Sequence, residues 1–243
     1  MSSDSNDAFD QVHGLSISDP DQFWGNAAEE IHWYTKPCKV LDTSESPHGK
    51  WFVDGELNTC FNAVDRHVEA GRGDDIALIY DSPVTSTVRK FSFSELQDLT
   101  AKFAGVLKTK GVEKGDRVII YMPMIPETVV AMLACARIGA IHGVVFGGFA
   151  SNELAVRIDD AEPKAIVTAS CGIEVNRIIP YMPLLNGAID IAIHKPSSVI
   201  VVERPEATAE LIEGRDVSWN NAMATAEPAD CVSLKSTDPL YIL

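Results

Sequence analysis

Short apolar runs alternate with segments of helical periodicity between residues 93 and 203, and this alternation restricts the fold more than any other feature. The runs read DRVIIYM, IHGVVF, PKAIVTA and SSVIVVE. Continuous apolar runs are typical of strands that are buried on both faces, and helices between them are typical of right-handed βαβ units. The sequence therefore predicts an α/β fold in which a parallel sheet is flanked by helices.

The segments between these runs are predicted to be helices. In FSELQDLTAKFAGVLKTKG, Ser94 with Gln97 three residues later predicts a capping box at the helix start. Further helices are predicted over PETVVAMLACARIGA, over SNELAVRIDDAE and from about Pro180. Parallel sheets bind ligands beyond the carboxyl ends of their strands. Functional residues are therefore expected in the loops that follow Tyr121, Phe146, Ala169 and Glu203.

The residues before this region predict a smaller, mainly helical part. Residues 1–18 begin with a polar and acidic stretch and are expected to be disordered. Asp19 and Pro20 are typical of a helix start, and the apolar spacing extends that helix to about Tyr34. A second helix is predicted over 57–68, and the runs IALIY and TVRKFSF around DSPVTS predict a β-hairpin.

The charge of the chain argues against two classes of partner. The formal net charge is −15 and the pI is about 4.7. Nucleic acids and anionic membrane surfaces both require clustered Lys and Arg. No apolar run approaches the ~18 residues that a membrane helix needs. We therefore expect no nucleic-acid and no membrane partner. A start that lacks the Arg-rich character of a mitochondrial presequence favours a cytoplasmic protein.

Cysteine and histidine show no spacing that indicates a metal site. A reduced compartment is the simplest interpretation of the five widely spaced cysteines, Cys38, Cys60, Cys135, Cys171 and Cys231. Without paired ligands, no metal ligand is assigned. Cys171 is interpreted as a buried structural thiol rather than a nucleophile, because no histidine partner can be named. No catalytic residue is assigned within this chain.

Two loops at predicted strand ends could bind a ligand. In VVFGGFAS, Gly147 and Gly148 would let the backbone approach a ligand, although a tight turn that needs glycine only for its geometry is the simpler interpretation. The stretch fits neither a Gly-x-Gly-x-x-Gly fingerprint nor a P-loop. In ASCGIEVNR, Arg177 could bind a phosphate through its guanidinium, or be an ordinary surface charge.

Several longer stretches together carry a family resemblance. They are FW..AAEEIHWYTKP, WFVDGELNTCFNAVDRHV, the segment from GDRVIIYMPM to TASCGIE, and TDPLYIL. Their order and spacing, from about Phe23 to Leu243, resemble the acetyl-/propionyl-CoA synthetases, which are adenylate-forming (AMP-binding) enzymes. The stretches LNTCFNAVDRHV and SCGIE are more similar to the propionyl-CoA synthetase branch.

The resemblance implies an acid–thiol ligase. Such enzymes convert a short-chain carboxylate and ATP to an acyl-adenylate and pyrophosphate, and then transfer the acyl group to CoA. It implies ATP, CoA and Mg²⁺ for the complete enzyme, and small-molecule substrates as partners. In the family, a glycine-rich Thr/Ser phosphate loop follows a stretch like DPLYIL. That loop is absent from these residues, so the chain is expected to be a front part of the enzyme and inactive alone.

The resemblance also implies part of a CoA site. Phe146, Gly147 and Gly148 match the positions that the CoA nucleotide passes, and the segment at its ribose-phosphate end matches the run Glu174, Val175, Asn176 and Arg177. The acetyl branch has arginine where this chain has Glu174. The propionyl branch commonly has Glu-Pro-Gly-Arg, so Val175 and Asn176 depart from both patterns.

The resemblance implies a domain order as well. Residues 1–18 would precede a synthetase-type N-terminal cap over 19–66, and residues 67–243 would begin the adenylation domain, truncated before its phosphate loop. Two alternatives are a noncatalytic binding or dimerisation module of the same fold and a Rossmann oxidoreductase, the latter disfavoured by the missing glycine fingerprint. Neither the choice between acetate and propionate nor the oligomeric state follows from the sequence.

Overall fold

A computed structural model describes residues 4–45, 47–175 and 177–243. Its seven labelled α-helices within this range are α1 Asp4–Ser18, α2 Pro20–Ala28, α3 Phe93–Thr109, α4 Pro126–Ile138, α5 Ser151–Ala161, α6 Tyr181–Ile191 and α7 Trp219–Ala224. The strands are β1 Leu41–Asp42, β2 Lys50–Trp51, β3 Glu56–Leu57, β4 Ile76–Ser82, β5 Thr87–Ser92, β6 Arg117–Met122, β7 Ile141–Phe146, β8 Ala165–Ala169, β9 Cys171–Glu174, β10 Arg177–Pro180, β11 Ser198–Val202, β12 Asp216–Ser218, β13 Leu234–Lys235 and β14 Tyr241–Ile242.

The chain divides into two compact units. The first consists of Met1–Asn58 with Ser233–Asp238, and the second of Thr59–Val232 with Pro239–Leu243. The second unit contains the candidate site.

The first unit contains α1, α2 and small antiparallel strand pairs. Where the composition predicts a disordered start, the structure has α1, whose turns are supported locally by the stacked rings of Phe9 and His13. Helix α2 begins as predicted, because the Asp19 side chain accepts a hydrogen bond from the Gln22 amide. It ends at Ala28 rather than near Tyr34. The Trp33 indole donates to the Ala28 carbonyl at 2.9 Å, which satisfies a free carbonyl at the helix end.

The second unit is built on a six-stranded sheet in the order β12-β11-β8-β6-β7-β14, and every neighbouring pair is parallel. This confirms the predicted α/β class. The side chains of β6 alternate between two cores. Val118 and Ile120 pack with α3 and α4 on one face, whereas Ile119 and Tyr121 pack with α5 and α6 on the other.

Three local predictions, a hairpin, a capping box and a helix, can be compared with the structure. The hairpin is confirmed as β4 and β5. The capping box lies two residues earlier than predicted, because Ser92 caps α3 and exchanges hydrogen bonds with Glu95. The helix predicted over 57–68 is present as a helical segment over 59–72 that contains π-helical turns at Phe61–Asp65 and Val68–Arg72, and Gly71 near its end adopts a φ of 78°.

Candidate functional site

The loop between β7 and α5 lies at the carboxyl end of the sheet. Phe146 ends β7 with a side chain that is 70% exposed, and its ring meets that of Phe149 edge-on at 5.8 Å. The Phe149 amide donates to the Phe146 carbonyl at 3.1 Å, which closes the turn through Gly147 and Gly148. The loop thus presents an exposed aromatic ring beside two residues that have no side chain.

Aromatic side chains lie close to both glycines. A Cβ added at Gly147 would lie 2.1 Å from the Tyr181 hydroxyl oxygen, and one at Gly148 would lie 2.6 Å from the Phe146 ring. Neither glycine is among the described residues with positive φ. Gly147 is therefore required because the buried Tyr181 side chain comes close, and not because the turn needs a left-handed conformation, whereas Gly148 is close only to an exposed ring.

The described residues on both sides of Val175 form a hairpin, which the sequence pattern did not predict. Strands β9 and β10 pair in antiparallel fashion, with Arg177 opposite Glu174. Val175 in the turn has a φ of 52°, an unfavourable conformation for a β-branched residue, and its side chain is exposed. Asn176, the fourth residue of the predicted segment, lies outside the described residues.

Arg177 and Glu174 form an ion pair at the tip of this hairpin. Their charged atoms are 3.2 Å apart, and the side chains are 76% and 48% exposed. Exposed ion pairs contribute little to stability, since water solvates both charges. The guanidinium is therefore accessible to an anion in solution, and the Glu174 carboxylate is its competitor.

Tyr181 connects the loop to the hairpin. Its ring lies against Gly147 on one side, and a Cβ at Gly172 in β9 would be 2.4 Å from its hydroxyl oxygen. The Tyr181 amide donates to the Ser170 carbonyl at 3.0 Å, which fixes the start of α6. The two predicted segments, the loop after β7 and the hairpin that carries Arg177, are therefore brought together by Tyr181, which was not among the predicted site residues.

A second tyrosine holds the loop from beneath. The ring of Tyr121, buried in β6, lies 4.9 Å from that of Tyr181. Its hydroxyl is within hydrogen-bond distance of the carbonyls of Phe149, at 2.9 Å, and Gly147, at 3.2 Å. A buried tyrosine in a strand of aliphatic residues needs a hydrogen-bond partner for its hydroxyl. The presence of Tyr121 in the apolar run of β6 is the sequence feature from which a contact with the loop could have been predicted.

Both tyrosines keep their protons at neutral pH. Burial raises the pKa of Tyr121 to about 12, with a smaller contribution from Tyr181. Burial, followed by the negative charge of Glu174, also raises the pKa of Tyr181. The Tyr121 hydroxyl therefore remains a hydrogen-bond donor to the loop.

The ends of β8 and β11 are tied to the same region. The Ser170 hydroxyl accepts from the Arg204 amide at 2.8 Å, and the Arg204 guanidinium donates to the Cys171 carbonyl at 3.1 Å. Cys171 is fully buried, and burial raises the pKa of its thiol, in keeping with a structural role. Arg204 thus stabilises the base of the hairpin that carries Arg177.

One group of potential metal ligands lies elsewhere in the second unit. The ligand atoms of Cys60, Asp65 and Cys231 are all within 4.8 Å of one another. Cys231 is distant in sequence from Cys60 and Asp65, so the spacing of these residues did not indicate a shared site. None of the helices in the described part of the chain combines the length and the apolar character that a membrane-spanning segment requires.

The fold and the matched residues together define the class of protein. A family model described as "AMP-binding enzyme" matches residues 64–243, and one described as "Acetyl-coenzyme A synthetase N-terminus" matches residues 9–63. The chain belongs to the AMP-binding enzyme family, as its motifs indicate.

Two curated relatives match all or most of this chain. The chain is 51% identical to the Homo sapiens protein "Acyl-CoA synthetase short-chain family member 3, mitochondrial", over 100% of this chain and 36% of the human protein. It is 46% identical to an Escherichia coli "Propionate--CoA ligase", over 87% of this chain and 34% of the ligase. The chain thus spans about a third of the length of these curated relatives.

A solved structure supports the architecture independently. Acetoacetyl-CoA synthetase from Streptomyces lividans superposes with a TM-score of 0.85, at 24% identity, over 95% of this chain and 35% of that chain. This likeness confirms the fold.

Proposed function

We propose that these residues form part of an ATP-dependent short-chain acyl-CoA synthetase. The reaction joins a carboxylate and ATP into an acyl-adenylate with release of pyrophosphate, after which the CoA thiol displaces AMP. Similarity to a propionate–CoA ligase and to a short-chain acyl-CoA synthetase supports propionate or acetate as the acid, with propionate preferred. ATP and Mg²⁺ would supply the activated phosphate and its charge neutralisation, and residues outside this chain would hold them.

The role proposed for this chain is to bind part of the CoA nucleotide. The observation that carries it is the position of Tyr181, whose ring lies against both Gly147 and Gly172. Through this contact the exposed ring of Phe146 and the hairpin with Arg177 share one end of the sheet. That end is where parallel sheets bind ligands.

The chemistry of these residues fits a nucleotide that carries phosphate groups. The exposed Phe146 ring offers a face on which a base can stack. The guanidinium of Arg177 matches phosphate oxygens, and in a chain of net charge −15 a polyanion needs such a local cation. The proposed contacts are Phe146, Gly147 and Gly148 for the nucleotide, and residues 174–177 for its phosphate end.

The proposed division into domains follows the resemblance to the acyl-CoA synthetases. Residues 19–66 would be the N-terminal cap, and residues 67–243 the beginning of the adenylation domain. The cytoplasm is the proposed compartment. Because the human relative is named as mitochondrial, fractionation of cells that express the tagged protein tests this point directly.

The activity is tested on the full product of the gene that encodes this chain. We expect propionyl-CoA and AMP to form from propionate, ATP, Mg²⁺ and CoA, as measured by chromatography, with acetate used less efficiently. Omission of CoA should leave propionate-dependent ATP–pyrophosphate exchange intact. A protein that binds CoA but catalyses neither exchange nor acyl transfer would instead support the alternative, a noncatalytic binding module of this fold.

A further inference from the structure

Two cysteines from distant parts of the sequence meet inside the second unit. Cys60 precedes the π-helical turn at Phe61–Asp65, and Cys231 lies in the segment between α7 and β13. Their sulfur atoms are within 4.8 Å of each other. A disulfide bond is about 2.05 Å long, so the two sulfurs need to approach by at most about 2.7 Å. Side-chain rotation at the loop residue Cys231 can supply a movement of this size.

The two thiols differ in their access to solvent. Cys60 is fully buried, whereas Cys231 is half-buried. The backbone around Cys231 is held on both sides. The Ala229 amide donates to the Ala101 carbonyl at 2.9 Å, and the Val232 amide donates to the Arg137 carbonyl at 3.0 Å. The pair is therefore kept together without a covalent bond.

An arginine and an aspartate lie beside the two sulfurs. The guanidinium of Arg137 lies 3.6 Å from the Cys60 sulfur, and an Asp65 oxygen lies 3.9 Å from Cys60 and 3.8 Å from Cys231. Each thiol can donate to this same Asp65 oxygen, so one carboxylate holds both sulfurs on the same side of the cluster.

The surroundings disfavour a metal ion at this position. Arg137 donates to both oxygens of Asp65, at 2.8 and 2.9 Å, and Gln97 donates to one of them at 2.9 Å. The carboxylate is therefore already neutralised and hydrogen-bonded, and a cation would have to displace a guanidinium. A covalent link between the sulfurs requires no such displacement.

We propose that Cys60 and Cys231 form a reversible disulfide when the protein meets a hydroperoxide. The Cys231 sulfur attacks the peroxide oxygen as the O–O bond breaks and the thiol proton passes to the leaving oxygen, which gives a sulfenic acid at Cys231 and releases water or an alcohol. The Cys60 sulfur then attacks the Cys231 sulfur, and its proton leaves with the sulfenic oxygen as water. Two thiols lose two electrons in total, and the peroxide accepts them. A dithiol reductant reverses the reaction.

This inference is independent of the proposed ligase activity, since it concerns the thiols alone. The folded full product of the gene that encodes this chain is treated with micromolar hydrogen peroxide, its remaining thiols are alkylated, and the peptides are analysed by mass spectrometry. We expect a cross-linked pair of peptides that contain Cys60 and Cys231, lighter than the reduced pair by two hydrogen atoms. Dithiothreitol should restore both peptides.

Single substitutions provide the controls. Cys231→Ser should abolish the cross-link, and since Cys231 is half-buried this variant is expected to fold even if Cys60→Ser does not. Circular dichroism and thermal unfolding check that the variant is folded. Cys38→Ser removes an exposed thiol of the first unit and should leave the cross-link unchanged.

Three results would overturn the proposal. In the first, both cysteines remain fully alkylatable after peroxide treatment of the folded protein. In the second, the cross-link forms only in denaturant. In the third, stoichiometric Zn²⁺ binding depends on Cys60 and Cys231 and protects them from oxidation, which would identify the cluster as a metal site.

Discussion

The guanidinium of Arg137 in α4 donates to both carboxylate oxygens of Asp65, at 2.8 and 2.9 Å, and both side chains are more than nine-tenths buried. Burial opposes the positive charge, but the hydrogen bonds from Arg137 to Asp65 keep the pKa of Arg137 above its ordinary value. The Arg137 Nε also donates to the Ala229 carbonyl at 2.6 Å. The pair therefore connects α4 to the π-helical turn that contains Asp65. Through Arg137 it also connects α4 to the segment around Ala229, which has no regular secondary structure.

Asp65→Asn should destabilise the second unit strongly. The change leaves the Arg137 charge buried without its counter-ion, and such losses cost about 3–5 kcal/mol of the free energy of unfolding. Urea denaturation monitored by circular dichroism measures the effect. Asp98→Asn is the matched control, because its partner Lys102 lies at 2.9 Å on an exposed helix face, and its cost should be about 0.5 kcal/mol or less. Equal losses in the two variants would contradict the role assigned to the buried pair.

Gly172→Ala should displace Tyr181 and destabilise the hairpin. The new Cβ would lie 2.4 Å from the Tyr181 hydroxyl and 2.7 Å from ring carbons, a clash that overpacking data place at about 1–3 kcal/mol. Thermal unfolding measures the loss. Gly143→Ala is the control in β7, where the nearest atom would be at an ordinary 3.8 Å. If both variants unfold at the wild-type temperature, Tyr181 does not constrain this region.

The sheet could be predicted because the signals that define it are local. Continuous apolar runs separated by amphipathic segments identify buried parallel strands whatever their neighbours are. The capping box shows the limit of such patterns. Ser92 with Glu95 and Ser94 with Gln97 both fit the same motif, and only the hydrogen bonds around the first turn of α3 select the earlier pair.

The candidate site could be predicted only in part. Phe146 to Gly148 and the segment around Arg177 follow from strand ends and from the family resemblance. The contact that brings them together depends on Tyr181, and nothing in its local sequence distinguishes it from a core residue. The hairpin was missed for a physical reason, since Val175 at a φ of 52° is a residue that turn statistics would not place there.

Stability should fall as the pH drops below about 6.5, in part through His142. Its side chain is 6% exposed, and its Nδ1 has no hydrogen-bond partner among the described residues. Burial lowers its pKa. The unfolded chain therefore binds a proton at a higher pH than the folded chain. The contribution of neutral His142 to the free energy of unfolding is fully present above about pH 6.5, and it is lost as the pH falls from there through the lower pKa of the folded state.

His142→Gln should reduce the slope of unfolding free energy against pH between pH 7 and pH 5, as measured by urea denaturation. Ile141→Val is the control on the same strand. It shortens a side chain without altering a titratable group, so it should lower stability by a similar amount at every pH. A His142→Gln slope equal to that of wild type would show that other groups account for the acid sensitivity.

The 243-residue chain alone should not catalyse ATP–pyrophosphate exchange with acetate or propionate. Transfer of AMP requires positioned groups that stabilise the leaving pyrophosphate, and the family's glycine-rich phosphate loop is not among these residues. Exchange is followed with labelled pyrophosphate, beside the full product of the gene as a positive control. Exchange above a protein-free blank would mean that this chain contains an adenylation site that its motifs do not reveal.

Arg177→Ala should weaken CoA binding by the full gene product and leave adenylation unaffected. Charge-assisted hydrogen bonds contribute about 1.5–3 kcal/mol, which corresponds to a loss of about tenfold or more in affinity. The free protein holds Arg177 in an exposed ion pair with Glu174 at 3.2 Å. CoA must therefore compete with a carboxylate for the guanidinium. Glu174→Gln removes the competitor and should tighten CoA binding, and Glu174→Arg should tighten it or leave it unchanged.

The measurements are the apparent CoA affinity of each variant and its ATP–pyrophosphate exchange rate. Comparison with 3′-dephospho-CoA shows which phosphate is involved, because Arg177→Ala should have little further effect on a ligand that lacks the contacted group. Arg89→Ala, which removes an exposed arginine of β5, controls for the general loss of positive charge from an acidic protein and should change CoA affinity little. Unchanged CoA affinity in Arg177→Ala, or an equal loss of exchange and CoA binding, would make Arg177 a structural residue of the hairpin and would remove the phosphate contact from the proposed site.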